Sequence, residues 1–257
     1  MNQNNKYTVI TGASAGIGAA AATAFAARGH NLVLIARRTE RLHALKDKIH
    51  AAHPSLDIIV RTADLSVPEN VIHLYDDLRT LPIGTWINNA GFGTGKDVAD
   101  DAPERLEQEV RLNCLAVAGL TARYLPAMRE RGSGTIINIS SAAAFQPMPH
   151  MAVYGATKAF VLSFTEALWR ETRRDGIRVL AVCPGSTDTP FFQVADEGTV
   201  VGRLRSTRQV LDTTMRALRG SGPSIVDGLG NAVVARFLTR VLPKRALLAA
   251  VDRVFRR

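Results

Sequence analysis

The chain has 257 residues, 46% of them apolar, and a formal net charge of +9. That length suits one α/β domain able to bury roughly three quarters of its unfolded surface. No run of about 18 apolar residues occurs, so no bilayer-spanning helix is expected, and the polar residues 1–6 lack the apolar stretch of a signal peptide. Cys114 and Cys183 lie in apolar stretches and read as reduced core thiols, which fits a cytoplasmic location. No His/Cys cluster has metal-ligand spacing, so no metal is expected. Basic charge alone admits nucleic acid, an anionic membrane surface or an anionic cofactor.

Six short, β-branched apolar runs are predicted as buried strands: residues 7–10, 31–35, 57–60, 85–88, 135–139 and 177–182. Helical periodicity between them predicts helices over 19–28, 39–52, 68–78, 103–131 and 152–174. Pro68 and Pro103 stand where a helix starts, a position that needs no N–H donor. Gly29, Gly132 and Gly176 each follow a helical run, where a left-handed residue closes the last turn. The alternation predicts an α/β, doubly wound parallel sheet of the Rossmann type, a dinucleotide-binding domain over residues 1–257. Ligands of such a sheet sit at the carboxyl ends of its strands.

Gly12, Ser14, Ala15, Gly16, Ile17 and Gly18 follow the first strand and open the first helix. Gly12 permits a tight turn, Gly16 removes a Cβ where a pyrophosphate approaches, and Gly18 allows close helix packing. Helix N-terminal N–H groups then face the phosphates. An acidic residue after the second strand would grip the ribose hydroxyls of NAD, but this chain has Arg37 and Arg38 there. A guanidinium suits a 2′-phosphate, with Ser14 as a further donor, so NADP(H) is the expected cofactor. Arg37→Ala is expected to weaken that preference by roughly ten- to hundredfold. Asp64 and Leu65 follow the third strand, where the carboxylate could accept from the adenine amino group. Asn88-Asn89-Ala90-Gly91 ends the fourth, small enough for a cofactor to lie against the backbone, or simply an Asn-held turn.

Ser141 follows the fifth strand, with Tyr154 and Lys158 beyond it. In a helix the last two share a face, one turn apart. A phenol near pH ~10 is too weak an acid for neutral pH. An ammonium about 4 Å away is worth roughly 4 kcal/mol at an effective dielectric near 20, enough to lower the phenol by up to about three units. Tyr154 then serves as general acid or base, and Ser141 holds the substrate oxygen. Asn113, inside an apolar helix, needs partners for a buried amide; it either holds a water that relays protons towards Lys158 or satisfies a helix kink.

The glycine turn 11–18, Asn88-Asn89-Ala90-Gly91, Asn113, Ser141, Tyr154-x3-Lys158 and Pro184-Gly185 together resemble the short-chain dehydrogenase/reductase family, in its short single-domain branch. The resemblance covers about residues 6–192. It implies a tetrad of Asn113, Ser141, Tyr154 and Lys158, with Lys158 also on the nicotinamide ribose. It implies a nicotinamide loop at Pro184, Gly185, Thr187 and Thr189, with the Thr187 backbone and Thr189 hydroxyl on the carboxamide. Thr187 departs mildly from the family, which usually has an apolar residue there. The resemblance further implies a homodimer or homotetramer built on the two long helices that carry Asn113 and Tyr154.

Beyond Phe191 the motifs stop. Residues 190–205 are expected to cover the substrate, and Phe145, Met148, Met151, Phe191 and Phe192 to line an apolar pocket for a lipid-like or aromatic carbonyl compound, such as a 3-oxoacyl compound or a steroid. Residues 236–257 hold seven Arg or Lys and one Asp, net +6 of the total +9. Their apolar face could rest on an anionic membrane surface, on the protein itself or on a partner subunit. No nucleic-acid recognition motif accompanies the charge, so nucleic acid is not an expected partner. An intact tetrad argues against a module that only senses NADP(H).

Overall fold

The computed structural model describes residues 6–191 and 204–255. Seven strands form one parallel sheet in the order β3-β2-β1-β4-β5-β6-β7. They are β1 (Tyr7–Thr11), β2 (Asn31–Ala36), β3 (Ile58–Thr62), β4 (Ile83–Asn88), β5 (Gly134–Ile139), β6 (Ile177–Cys183) and β7 (Ser224–Val226). The first six match the predicted strands within two residues at either end. The three-residue β7, after Gly222-Pro223, was not predicted, being too short to show a period.

The helices are α1 (Gly16–Ala26), α2 (Thr39–Ala52), α3 (Pro68–Leu78), α4 (Pro103–Val110), α5 (Ala116–Glu130), α6 (Ala152–Glu171), α7 (Thr207–Leu218), the short α8 (Leu229–Val233) and α9 (Thr239–Val241), and α10 (Lys244–Phe255). Both faces of the sheet are covered. Leu32 and Leu34 of β2 join Phe25, Leu42, Val210 and Leu211 in one core. Their neighbours Val33 and Ile35 join Leu74, Leu120, Tyr124 and Met128 in the other. The two-residue side-chain period of a strand makes this division, which is why β1 and β2 are apolar at nearly every position.

The helix predicted over 103–131 is broken. A π turn, Arg111–Leu115, separates α4 from α5, with the Ala116 N–H bonded back to Arg111 O. The extra residue falls on Asn113 and aims it at the loop after β4. A chain of buried polar groups crosses the sheet nearby. Trp86 Nε1 donates to Asn88 Oδ1 at 2.7 Å, Asn88 Nδ2 to Asn138 Oδ1 at 2.8 Å, and Asn138 Nδ2 to Thr165 Oγ1 at 2.9 Å. Each member is paired, so the chain aligns β4, β5 and α6 without an orphaned group. Cys114 and Cys183 are both buried and free, as expected. No described helix is long and apolar enough to cross a membrane.

Candidate active site

One cavity of about 740 Å³ lies at the carboxyl ends of the strands. At its first end are the glycine turn, Arg37, Arg38, Asp64 and Leu65. Gly12 has φ +67°, and a Cβ there would come within 2.9 Å of Ala90 Cα. Gly18 stands behind the cavity, where a Cβ would lie 2.4 Å from Gly12 O. Asn89 ties the turn to β4, its Nδ2 donating to Thr11 O at 2.9 Å. Ala15 gives α1 no side-chain cap, so its first N–H groups face the cavity mouth as anion donors. Arg38 donates from Nε and Nη2 to Ser14 Oγ at 3.3 and 3.1 Å. Arg37 instead pairs with Asp64 at 3.6 Å, and Asp64 Oδ1 accepts from the N–H and hydroxyl of Ser66. The predicted adenine acceptor is thus engaged on both oxygens, and the guanidinium held at the glycine turn belongs to Arg38. These features fit a phosphorylated dinucleotide: uncapped N–H groups, a cradle a Cβ would fill, and a guanidinium beyond it.

Ser141, Tyr154 and Lys158 come together further in, as predicted, and all three line the cavity. Ser141 begins the turn after β5, its Oγ accepting from Ala143 N at 3.1 Å, and its hydroxyl bonds to Tyr154. Lys158 Nζ donates to Ile139 O at 2.9 Å and lies 5.8 Å from the Tyr154 ring centre. Ser140 Oγ donates to Lys158 O at 2.7 Å and fixes α6 to the end of β5.

The electrostatics correct one expectation. Burial pushes the Tyr154 phenol up to about 12, against the hydrogen bond from Ser141 and with help from the Glu109 charge. Burial likewise pulls the Lys158 ammonium down to about 8. In this cavity desolvation outweighs the attraction expected from a neighbouring ammonium, because removing water penalises both charged forms. The phenol is therefore held protonated.

Asn113 satisfies the kink. Its Nδ2 donates to Phe92 O at 2.8 Å and to Thr157 Oγ1 at 3.0 Å, and its Oδ1 accepts from Phe92 N at 3.2 Å. It does not line the cavity. A Cβ on Gly91 would lie 2.9 Å from Asn113 Oδ1 and 3.4 Å from Lys158 Nζ, so the glycine lets both polar atoms pack against this loop.

The loop after β6 closes the site. Thr187 and Thr189 line the cavity, and a Cβ on Gly16 would sit 3.0 Å from Thr189 Cγ2. Arg205 braces this loop: its N–H donates to Ser186 O, and its guanidinium forks onto the buried Asp227. Arg205 therefore supports the loop rather than covering substrate. Phe192 and most of the expected cover, residues 192–203, lie outside the described residues.

The far end of the cavity is apolar. Met148, Met151 and Phe191 line it as expected. Phe145 does not; it turns to Leu162, Cys183 and Val226 in the core. The missing wall comes from the C-terminal segment: Leu238, Leu242, Leu247, Val251 and Phe255 all line the cavity, Leu238 and Leu242 at its exposed rim. That segment packs on its own chain. His150 fastens it, with Nδ1 on Asp97 Oδ1 at 2.6 Å and Nε2 on Asp252 Oδ1 at 3.0 Å. A ring between two carboxylates must donate from both nitrogens, so Asp97 first, with Asp252, raises its pKa above the ordinary value. His150 is also the one described non-glycine residue at positive φ, 63°. Sequence reasoning missed this clasp, since its three members lie far apart in the chain.

The model of the family described as short chain dehydrogenase matches residues 6–199. The very-long-chain 3-oxoacyl-CoA reductase of Mus musculus is 34% identical over 197 residues, covering 74% of this chain and 62% of its own. A short-chain dehydrogenase of Sphingobium yanoikuyae, solved in complex with NADPH, is 33% identical with a TM-score of 0.84, covering 94% of each chain. A bulky-bulky ketone specific alcohol dehydrogenase of Comamonas testosteroni is 30% identical with a TM-score of 0.79, covering 94% of this chain and 96% of that one. With a glycine turn, an Asn-Ser-Tyr-Lys set and a seven-stranded sheet in one arrangement, the chain belongs to the short-chain dehydrogenase/reductase family of oxidoreductases.

Proposed function

We propose that the protein is an NADP(H)-dependent oxidoreductase that interconverts a carbonyl and a secondary alcohol on a bulky, apolar, lipid-like substrate. The observation that carries this reading is one continuous cavity, lined by Ser14 and Arg38, by Tyr154 and by an aliphatic wall. Ser14 and Arg38 would hold the 2′-phosphate, the first turn of α1 the pyrophosphate, and Asn89, Ala90 and Gly91 the chain between. Lys158 would hold the nicotinamide ribose, and Pro184, Gly185, Thr187 and Thr189 the nicotinamide. When bound, the cofactor supplies the hydride.

The protein's own groups handle the oxygen and the proton. Ser141 and Tyr154 donate hydrogen bonds to the carbonyl oxygen as it gains charge. Tyr154 then passes its proton to that oxygen. A phenol kept protonated by burial is the form that reduction consumes. Lys158, whose Nζ lies 5.8 Å from the Tyr154 ring centre, is the nearby acid that would restore the phenol's proton. The aliphatic wall supports bulky ketones, and the names of the ketone-specific and 3-oxoacyl relatives agree with that.

A panel of carbonyl compounds followed at the nicotinamide absorbance band tests the reading. NADPH should outperform NADH, and bulky apolar ketones should outperform small charged ones. Arg38→Ala is expected to lower kcat/KM with NADPH by roughly ten- to hundredfold and to leave NADH almost unaffected. Arg37→Ala should do less, because Asp64 already holds that guanidinium. An unchanged preference in the double variant would refute NADP(H).

The cavity mouth also supports a membrane partner. Leu229, Val233, Val234, Phe237, Leu238, Val241 and Leu242 are exposed in one stripe along α8, α9 and the π turn between them. Val234, Leu238 and Leu242 of that stripe also line the cavity. Arg236, Lys244 and Arg245 lie within or next to it in sequence. Two copies meeting here about a twofold axis would bring their cationic rims together, whereas an anionic lipid surface complements them. Sedimentation with anionic vesicles should exceed that with zwitterionic ones and fall with salt, and the Phe237→Asp, Val241→Asp double variant should lose it. Equal recovery of the variant would exclude this seat. Exposed Leu115 and Phe160, near Asn113 and on α6, support assembly into a homodimer or homotetramer through the helices that carry them.

A further inference from the structure

Glu109 lies on α4 one turn before Asn113 and is fully buried. The mechanism above does not use it, and a carboxyl group is rarely buried without strong partners. Its Oε2 accepts from Thr94 Oγ1 at 3.0 Å, while its Oε1 has no hydrogen-bond partner. Thr94 belongs to the loop after β4 that Asn113 grips at Phe92. Two residues one turn apart therefore hold neighbouring points of one loop. Between those points, Gly93 rests on the reacting phenol: a Cβ there would come within 2.7 Å of Tyr154 Cδ2. The titratable groups that face Glu109 are Lys158 and Tyr154 of α6, Cys114 of the π turn and Arg105 of α4 itself.

We propose that Glu109 is a positioning residue, which seats the loop after β4 against Tyr154 and supplies the buried negative charge that keeps Lys158 an ammonium. The proposal rests on the reading of Tyr154 and Lys158 as the proton-handling pair. Burial pushes the Glu109 carboxyl up to about 7, and the Thr94 hydrogen bond and Lys158 charge pull the other way. Burial pulls Lys158 down to about 8, and Cys114, Glu109 and Cys183 oppose it. The two groups thus exchange support across the neutral range. With the carboxylate formed, Lys158 keeps its proton to higher pH; with the carboxyl neutral, nothing else of full charge in that wall offsets its desolvation. The same negative charge holds the phenol protonated.

Glu109→Gln separates charge from shape, because the amide oxygen still accepts from Thr94. Removing a negative charge makes every neighbour release its proton more easily. Both limbs of the pH profile for alcohol oxidation should move towards acid by about one unit. In cofactor-free protein, the Nζ resonance of Lys158, assigned by its loss in Lys158→Met, should titrate about one unit lower. Glu109→Asp should restore the midpoint in part. Thr94→Val, which removes the hydrogen bond that favours the carboxylate and loosens the loop, should raise KM and move both limbs towards acid by less than Glu109→Gln does. If Glu109→Gln fails to fold, the carboxyl resonance of Glu109 in the wild-type protein decides: a carboxyl already ionised where Lys158 titrates supports the proposal, and one still neutral there overturns it. An active Glu109→Gln with an unshifted profile and an unshifted Lys158 resonance also overturns it. Inactivity of the wild-type protein on every carbonyl would sink the functional reading instead, and the lysine titration would still decide the role of Glu109.

Discussion

Tyr154→Phe is expected to lower kcat by about 10²–10⁴ with KM little changed, measured by steady-state NADPH oxidation on the best ketone of the panel. The substitution is nearly isosteric. The ring keeps its tilted contact with Phe191, centres 5.3 Å apart, and its seat under Gly93. Only the hydroxyl goes, together with its bond to Ser141. On the proposed reading, ground-state binding rests on the apolar wall and the cofactor end, which the change does not reach. The proton that the developing alkoxide needs must then come from Ser141 or from water, both poorer acids in that position. Because the buried phenol is paired to one neutral hydroxyl, its loss should move the unfolding free energy by less than about 1 kcal/mol. A large fall in kcat with intact stability assigns the effect to chemistry, and near-full activity would remove Tyr154 from the mechanism.

The strands, the glycine turn and the meeting of Ser141, Tyr154 and Lys158 at one cavity were legible because each depends on a local rule. A buried parallel strand is apolar at every position, a tight turn onto a helix needs glycine, and Tyr154 and Lys158 share a helix face by spacing alone. What stayed hidden depends on distance through space. The π turn at Asn113 leaves no compositional trace, since Arg111-Leu112-Asn113-Cys114-Leu115 fits an ordinary helix as well. Glu109 looks like one more acid on a polar helix, and only the loop folded over it shows that it is buried. Phe145 and Phe191 are alike as residues, yet one faces the core and the other the cavity, a choice made by the turn after β5. The direction of the Tyr154 shift was misjudged for a related reason. The sequence shows which charges are near, but the degree of desolvation appears only with the packed cavity, and there it is the larger effect.

Lys158→Met is expected to abolish activity by about 10²-fold or more and, at pH 7, to make the protein more stable. Lys158 is 6% exposed, and its pKa falls from 10.5 to about 8 in the folded chain. Between those values the unfolded chain binds more protons than the folded one, so the lysine makes stability rise with pH across that window. Above the window the residue is neutral in both states and costs nothing. As pH falls through about 8 the folded state must carry a buried ammonium, at a cost on the order of 3 kcal/mol. Methionine fills a similar volume without that cost. Against the gain stands the lost bond to Ile139 O, worth about 1 kcal/mol, and a Glu109 carboxyl pushed still further towards its neutral form. Urea unfolding at pH 7 should therefore show the variant ahead by roughly 1–2 kcal/mol, with its pH dependence between 8 and 10.5 flattened. A variant less stable than wild type at pH 7 would mean that Lys158 is held by its contacts rather than tolerated against its burial. The opposite result, lost turnover with gained stability, is what a charge kept in an apolar cavity for chemistry should produce, because packing alone gives no reason to place it there.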